Sequence, residues 1–499
     1  MRLINIETLK LETFLGEVPP YAILSHTWGE GEVTLQDLDS DDLEEKPGWD
    51  KIVRFCQTVM EHLSDPPRYA WVDTCCIDKT SSAELSESIN AMFRWYKESQ
   101  CCFAYLQDVT SANLGRLEQS RWFTRGWTLQ ELLAPVTVDF FDRDWDFIGN
   151  KVDLGERISR RTNIDIEALR TGDMSEASVS QKMSWASSRQ TTRPEDIAYC
   201  LLGIFDISMT MLYGEGEKAF IRLQEEILKE YDDHTIFAWD SSSVPESAST
   251  IGTLAPHPSY FSKSSHFQPH PSSGDPVTIT NRGIRLGLPI IEESKNPGQK
   301  LGLLSCFSGG GAGSAVGIAL LRKSHDLQEY SRSRAPPVEL SMRAFNFPPT
   351  TVFLTKRNGY SHREGMISKC WIHYWPKIQP LRSYPTGSWQ HDPYTENMTM
   401  RLPKGDAEEV KASIVFQVVS SGACFSLALT VRPRERTGKV GLLPVSKEAD
   451  QADHVFKMLS NKPMGNQANL KVPGLAVYAE CRVQSIRGSW MCDVKVTTS

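Results

Sequence analysis

The chain has 499 residues, 40% of them hydrophobic and 23% charged, with a net charge of −8. That length predicts more than one core, and the balance excludes wholesale disorder. Residues 1–150 hold 13 Lys+Arg against 26 Asp+Glu, a net of −13 that leaves +5 for the rest. So acidic a first domain excludes duplex nucleic acid as a partner, because phosphate contacts dominate that affinity. No apolar run reaches the ~18 residues of a membrane span, and the N-terminus lacks the apolar core of a secretory signal. Eleven cysteines without framework spacing then imply reduced thiols and a cytoplasmic protein.

From Met1 to about Asn150 short strand-like runs alternate with helical ones. Ala22-Ile-Leu-Ser25 is the first predicted strand. Trp49, Ile52, Val53, Cys56, Met60 and Leu63 recur at helical spacing. Tyr69-Ala-Trp-Val72 is the second strand and ends at Asp73. A second helix opens with a capping-box spacing, Ser81 to Glu84, and presents Leu85, Ile89, Met92, Phe93 and Tyr96 on one face. Cys101-Cys-Phe-Ala-Tyr-Leu106 is the third strand, closed by Asp108. A third helix runs around Leu129, Leu132 and Leu133, and Val136-Thr-Val-Asp-Phe-Phe141 is the fourth strand. Such alternation predicts an α/β domain over 1–150 with a parallel sheet covered on both faces. Ligands of such sheets sit beyond the carboxyl ends of the strands, which singles out Ser25, His26, Trp28, Asp73, Thr74, Cys75 and Asp108.

Residues 151–240 read as a helical segment. Pro194-Glu-Asp196 suits a helix start, where acids complement the dipole. Tyr213-Gly-Glu-Gly216 lacks the Lys and Ser/Thr of a phosphate loop and reads as a turn between helices. Residues 241–275, rich in Ser, Pro and His, read as a linker. Residues 276–499 read as a β-rich domain with strands at Val277–Thr280, Leu303–Cys306, Thr351–Leu354, Ala412–Val419 and Phe425–Val431. Ser308-Gly-Gly-Gly-Ala-Gly313 reads as a loop.

Three blocks carry a family resemblance. Tyr21-Ala-Ile-Leu-Ser-His-Thr-Trp-Gly29, Trp71-Val-Asp-Thr-Cys-Cys-Ile-Asp-Lys79 and Arg121-Trp-Phe-Thr-Arg-Gly-Trp-Thr-Leu-Gln-Glu-Leu-Leu-Ala-Pro135 resemble, in order, the fungal heterokaryon-incompatibility (HET) domain. The resemblance implies a role in non-self recognition, in which the activated protein triggers death of fused, incompatible cells. A more distant similarity joins Ile23-Leu-Ser-His-Thr-Trp-Gly-Glu30 and Trp127-Thr-Leu-Gln-Glu-Leu132 to the Toll/interleukin-1-receptor (TIR) domain. That similarity implies a flavodoxin-like sheet and, by analogy with catalytic TIR domains, NAD+ as a substrate, with Glu131 the catalytic carboxylate.

Cleavage of NAD+ asks for one carboxylate near a ribose that becomes positive. On this reading Glu131 supplies it, and Trp28 or Trp127 stacks on a ring. Arg125 holds a phosphate, Ser25 and Asp73 orient ribose hydroxyls, and His26 and Cys75 contact the ligand. No cofactor is required. The competing reading of Glu131 is a capping box with Thr128, which spends the carboxylate on a backbone N–H. Two other mechanisms stay open. One is a non-enzymatic module that self-associates and binds an unknown sensor protein. The other is a metal or thiol enzyme using His26, Cys75 and Cys76, although their spacing fits no metal motif.

Overall fold

The computed structural model describes residues 1–244, 251–271, 275–292, 299–309, 313–322 and 328–356, and most of 367–498. Two compact units divide the chain, residues 1–358 and 359–499.

The first unit begins with a seven-stranded sheet. Its strands are β1 (Arg2–Asn5), β2 (Leu11–Thr13), β3 (Tyr21–His26), β4 (Tyr69–Trp71), β5 (Cys101–Tyr105), β6 (Val138–Phe141) and β7 (Phe147–Asn150). Their order across the sheet is β2-β1-β4-β3-β5-β6-β7. The four predicted strands are β3 to β6, and all pair in parallel, with Ile23 beside Trp71, His26 beside Tyr105 and Tyr105 beside Phe141. The sheet as a whole is mixed, which corrects the all-parallel expectation. Antiparallel β1 and β2 extend one edge and antiparallel β7 the other. These edge strands are three or four residues long, too short for alternation to announce them.

Three helices connect the parallel strands: α1 (Pro47–His62), α2 (Ser82–Glu98) and α3 (Thr128–Leu133). The sequence of α1 carries two overlapping apolar stripes. The fold buries Ile52, Phe55, Cys56 and Val59, while Met60 of the other stripe is exposed. At the start of α2, Ser81 Oγ accepts the Glu84 N–H at 3.3 Å. The reciprocal half of that box is absent, because Glu84 pairs with Arg2 and accepts the Asp78 N–H instead.

Residues 151–240 supply helices α4 (Gly155–Thr162), α5 (Ile166–Thr171), α6 (Val179–Ala186), α7 (Asp196–Tyr199) and α8 (Lys218–Glu230). At the Tyr213–Gly216 turn, the N–H groups of Gly214 and Gly216 donate to Glu195 Oε1 at 2.8 and 2.9 Å. A protein carboxylate therefore fills the concavity that a phosphate loop would offer.

The expected linker 241–275 departs from that reading. Ile251, Leu254, Ala255, Phe261 and Phe267 are buried in the core that also contains the N-terminal sheet. Ala255 N–H donates to Gln224 of α8, and Thr253 N–H to Thr355. Its residues 245–250 and 272–274 lie outside the described ones, as do 310–312 of the glycine-rich stretch. The β-rich half also begins earlier than expected and is divided. Strands between Phe267 and Leu354 form a nine-stranded sheet within the first unit. The second unit has a six-stranded and a four-stranded sheet around one core that includes Ile372, Ile414, Phe416, Leu427 and Val494.

Candidate functional site

Successive side chains on a strand point to opposite faces, and the end of β3 turns that rule into two separate clusters. Ser25 faces α2 and α3. Its Oγ donates to Glu131 Oε2 at 2.5 Å and accepts from Trp122 Nε1 at 2.9 Å. The Tyr96 hydroxyl, from α2, donates to the Leu24 carbonyl at 3.0 Å beside the same carboxyl. Glu131 is only 7% exposed. Burial pushes its pKa up to about 8 and the Asp73 charge adds to this, while Ser25, Arg189 and Tyr96 pull the other way. The capping box does not form. Thr128 Oγ1 donates to the Trp122 carbonyl at 2.6 Å, and the Glu131 carboxyl is held by Ser25.

His26, the next residue, faces α1. Its Nε2 lies 3.1 Å from Asp73 Oδ1, and its Nδ1 lies 2.8 Å from Lys51 Nζ. Lys51 in turn donates to both oxygens of Glu32, at 2.6 and 2.7 Å. Trp28 Nε1 donates to Asp73 Oδ2 at 2.8 Å, and Lys79 Nζ sits 3.6 Å from the Trp28 ring centroid. Burial opposes ionisation of Asp73, yet Lys79, His26 and Trp28 outweigh it and hold that carboxyl below the usual range. Arg121 Nη2 donates to the Trp28 backbone carbonyl at 2.6 Å, and Trp28 is 48% exposed.

The remaining predicted residues lie elsewhere. Arg125 Nη2 donates to Thr192 Oγ1 at 3.0 Å, and the Trp127 indole reaches Asp196. Both are turned toward the chain after α6 and away from Ser25 and Asp73. Cys75 is buried, and its hydrogen bond with Cys76 together with burial pushes the thiol well above its ordinary pKa. Such a thiol is a poor nucleophile. Asp108 accepts from Ser120 Oγ and from the Arg121 N–H, each at 2.7 Å, and so starts the turn that carries Trp122. Among the described residues, no group of three or more His, Cys, Asp or Glu could hold a metal ion.

Residues 21–115 match the family described as heterokaryon incompatibility protein (HET). This chain carries a HET domain. The chain is also 47% identical over 227 residues to vegetative incompatibility protein HET-E-1 of Podospora anserina, a match covering 43% of this chain and 16% of that protein. It thus spans a small part of its curated relative's length. Residues 218–275 match a domain of unknown function (DUF8212). A solved structure, the lipid-binding protein Nakanori, matches 27% of this chain and 71% of its own at 8% identity and a TM-score of 0.20, too slight a likeness to speak for fold or function.

Ser25, His26, Trp28, Asp73, Cys75 and Asp108 fall inside the HET match, whereas Trp122, Arg125, Trp127 and Glu131 lie beyond it. The HET sheet also bears a polar cleft of about 270 Å³ over the ends of β3, β5 and β6. Glu32, Lys51, Arg54, Tyr105, Arg143 and Trp145 are among its lining, and Glu131 is not. Trp145 stacks on Tyr105 with centroids 4.5 Å apart and holds a left-handed φ of +68°, a conformation that costs an indole residue energy. Sequence reasoning missed Tyr96, Lys51, Glu32 and Arg189 as neighbours of the site. Trp122 stood in the third sequence block, but nothing local marks its indole as the donor to Ser25.

Proposed function

We propose that this chain is an effector of fungal non-self recognition whose HET domain acts on NAD+ through Glu131. The HET match and the identity to a vegetative incompatibility protein support the first half of that reading. The observation that carries the second is the state of Glu131. Its carboxyl is not spent on a helix terminus, it is gripped by Ser25 at the end of a parallel strand, and burial displaces its pKa. The strand order β4-β3-β5-β6 supports a TIR-like, flavodoxin-like core, because winding reverses between β3 and β5, where Ser25 lies one residue before the end of its strand. Lys79 and Arg121 at the rim offset the acidity of the domain for an anionic dinucleotide.

In the reaction the bond between ribose and nicotinamide breaks, and both electrons leave with nicotinamide, which departs neutral. The positive charge left on the ribose is met by the Glu131 carboxylate. Water then adds, giving ADP-ribose and releasing a proton. Only the ionised carboxyl serves this step, so a Glu131 with a pKa of about 8 is at rest in its neutral form near pH 7. Purified protein incubated with NAD+ is expected to release nicotinamide at a rate that rises from pH 6 to 8. Glu131→Gln is expected to lower it at least ~100-fold. No release from the wild type across that range, or undiminished release from the variant, rejects the reaction.

A second reading is favoured by one observation: Glu131 is nearly closed off and does not line the cleft. The HET domain then signals by self-association and by binding a sensor protein. On that reading Glu131→Gln leaves the incompatibility reaction between fused strains intact, and on the first it abolishes it.

A further inference from the structure

Taking Glu131 as the reactive carboxylate, we propose that Arg189 is a positioning residue of the HET site, brought from the segment after the sheet to draw and hold that carboxylate in its ionised form. Arg189 is 2% exposed, yet among the described residues it faces no carboxylate within hydrogen-bonding distance. Its Nη1 donates to the Arg125 carbonyl at 2.8 Å and to Thr128 Oγ1 at 2.9 Å, and its Nε reaches the Trp185 carbonyl at 3.4 Å. Its Nη2 is buried and has no hydrogen-bond partner among the described residues. A guanidinium kept dry with an unused donor and only neutral acceptors is costly, which points to a partner it takes in another state.

The place of Arg189 says which partner. Thr128 and Glu131 are three residues apart on α3 and so share a face. Hydrogen bonds run from Arg189 to Thr128 and on to the Trp122 carbonyl, and, across the body of that same residue, from the Trp122 indole to Ser25 and from Ser25 to Glu131. The other ionisable groups that act on Arg189 are Cys200 and Arg161, of which neither is a carboxylate. Besides Arg189, the ionisable groups that interact with Glu131 include Asp73, Tyr96 and the buried thiols of Cys102 and Cys200, and none of these is a cation. Arg189 is therefore the positive group that the Glu131 side of α3 meets. Backbone bonds hold it there: Gly126 N–H donates to the Gln190 carbonyl at 2.9 Å, and Gln190 N–H to the Thr124 carbonyl at 2.7 Å. It also follows that residues 1–150 alone do not complete the site.

The test follows one quantity, the pH at which Glu131 ionises, by two readouts in the full-length chain. One is the pH profile of nicotinamide release. The other is the infrared C=O stretch of a protonated carboxyl, assigned by its absence in Glu131→Gln. Arg189→Gln is expected to raise the midpoint by about one pH unit or more, and Arg189→Lys to restore most of the shift. A folded Arg189→Gln with the wild-type midpoint overturns the proposal. If the infrared midpoint moves but the wild type releases no nicotinamide, the NAD+ reading falls and the role of Arg189 stands. Should Arg189→Gln fail to fold, Thr128→Val removes one anchor of the guanidinium while leaving its charge. An unchanged midpoint there overturns the proposal equally.

Discussion

A carboxyl lifted from 4.5 to about 8 makes stability depend on pH in an unusual direction. Between those values the folded chain keeps a proton that the unfolded chain has lost, so stability falls as pH rises through that window. At about 1.4 kcal/mol per unit the loss is on the order of 4 kcal/mol by pH 8. Glu131→Gln cannot titrate and keeps a similar shape. It is expected to match the wild type near pH 4 and to exceed it progressively toward pH 8. Thermal melts of both proteins across that range check this, and parallel curves would contradict the burial account of Glu131. A side chain that costs its own fold this much at neutral pH is better explained by use than by packing. Ser25 has the opposite sign: Ser25→Ala strips the shared partner from both Glu131 and the Trp122 indole. A loss of ~1–3 kcal/mol in urea denaturation is expected.

At the scale of elements, the turn between β5 and α3 is shaped from outside itself. Residues 121–127 receive Gln190 and Arg189 along their backbone, and close approach there requires Gly126. A Cβ at that position would lie 2.5 Å from Thr191 Cγ2 and 3.1 Å from Cys200 Sγ. Gly126→Ala is therefore expected to cost ~1–3 kcal/mol by pushing α7 away from α3. Nicotinamide release should fall with it, since Arg189 enters on the same segment. Gly203 is tighter still, with a Cβ position 2.0 Å from Phe93 Cβ, so α2 and the chain after α7 lie almost in backbone contact. Neither glycine announces its role in the sequence, because the atoms they yield to lie far along the chain.

At the scale of the molecule, the HET match ends long before the compact unit that contains it. Leu132 and Leu133 of α3 share one core with Ile158, Leu169, Trp185 and Trp239, and that core continues through Leu254 to Leu354. A fragment ending at residue 150 leaves those faces in water and is expected to aggregate, whereas one ending at residue 358 is expected to unfold in a single cooperative transition. Size-exclusion chromatography and near-ultraviolet circular dichroism distinguish the two, and a monomeric, well-packed 1–150 would show that the sheet needs no cover. Among the described residues, no helix is long and apolar enough to cross a membrane.

Four parallel strands, three helices and the family blocks were legible in the sequence because each is a local signal. Alternation, helical spacing and strand-end residues are all written within about ten positions. Alternation likewise implies that Ser25 and His26 part company at the end of β3. The three-residue and four-residue edge strands, the stripe that α1 buries, and the packed state of residues 251–271 were not legible, since each is decided by what lies opposite. The site belongs to the same class. Ser25 and Glu131 stand 106 residues apart and Arg189 a further 58 along. The sequence by itself determined which residues reach the rim of the sheet. Only the tertiary structure decided that one carboxyl there is buried, with its pKa pushed up, near a buried guanidinium bonded to neutral acceptors, because desolvation is a property of surroundings that no single stretch of chain contains.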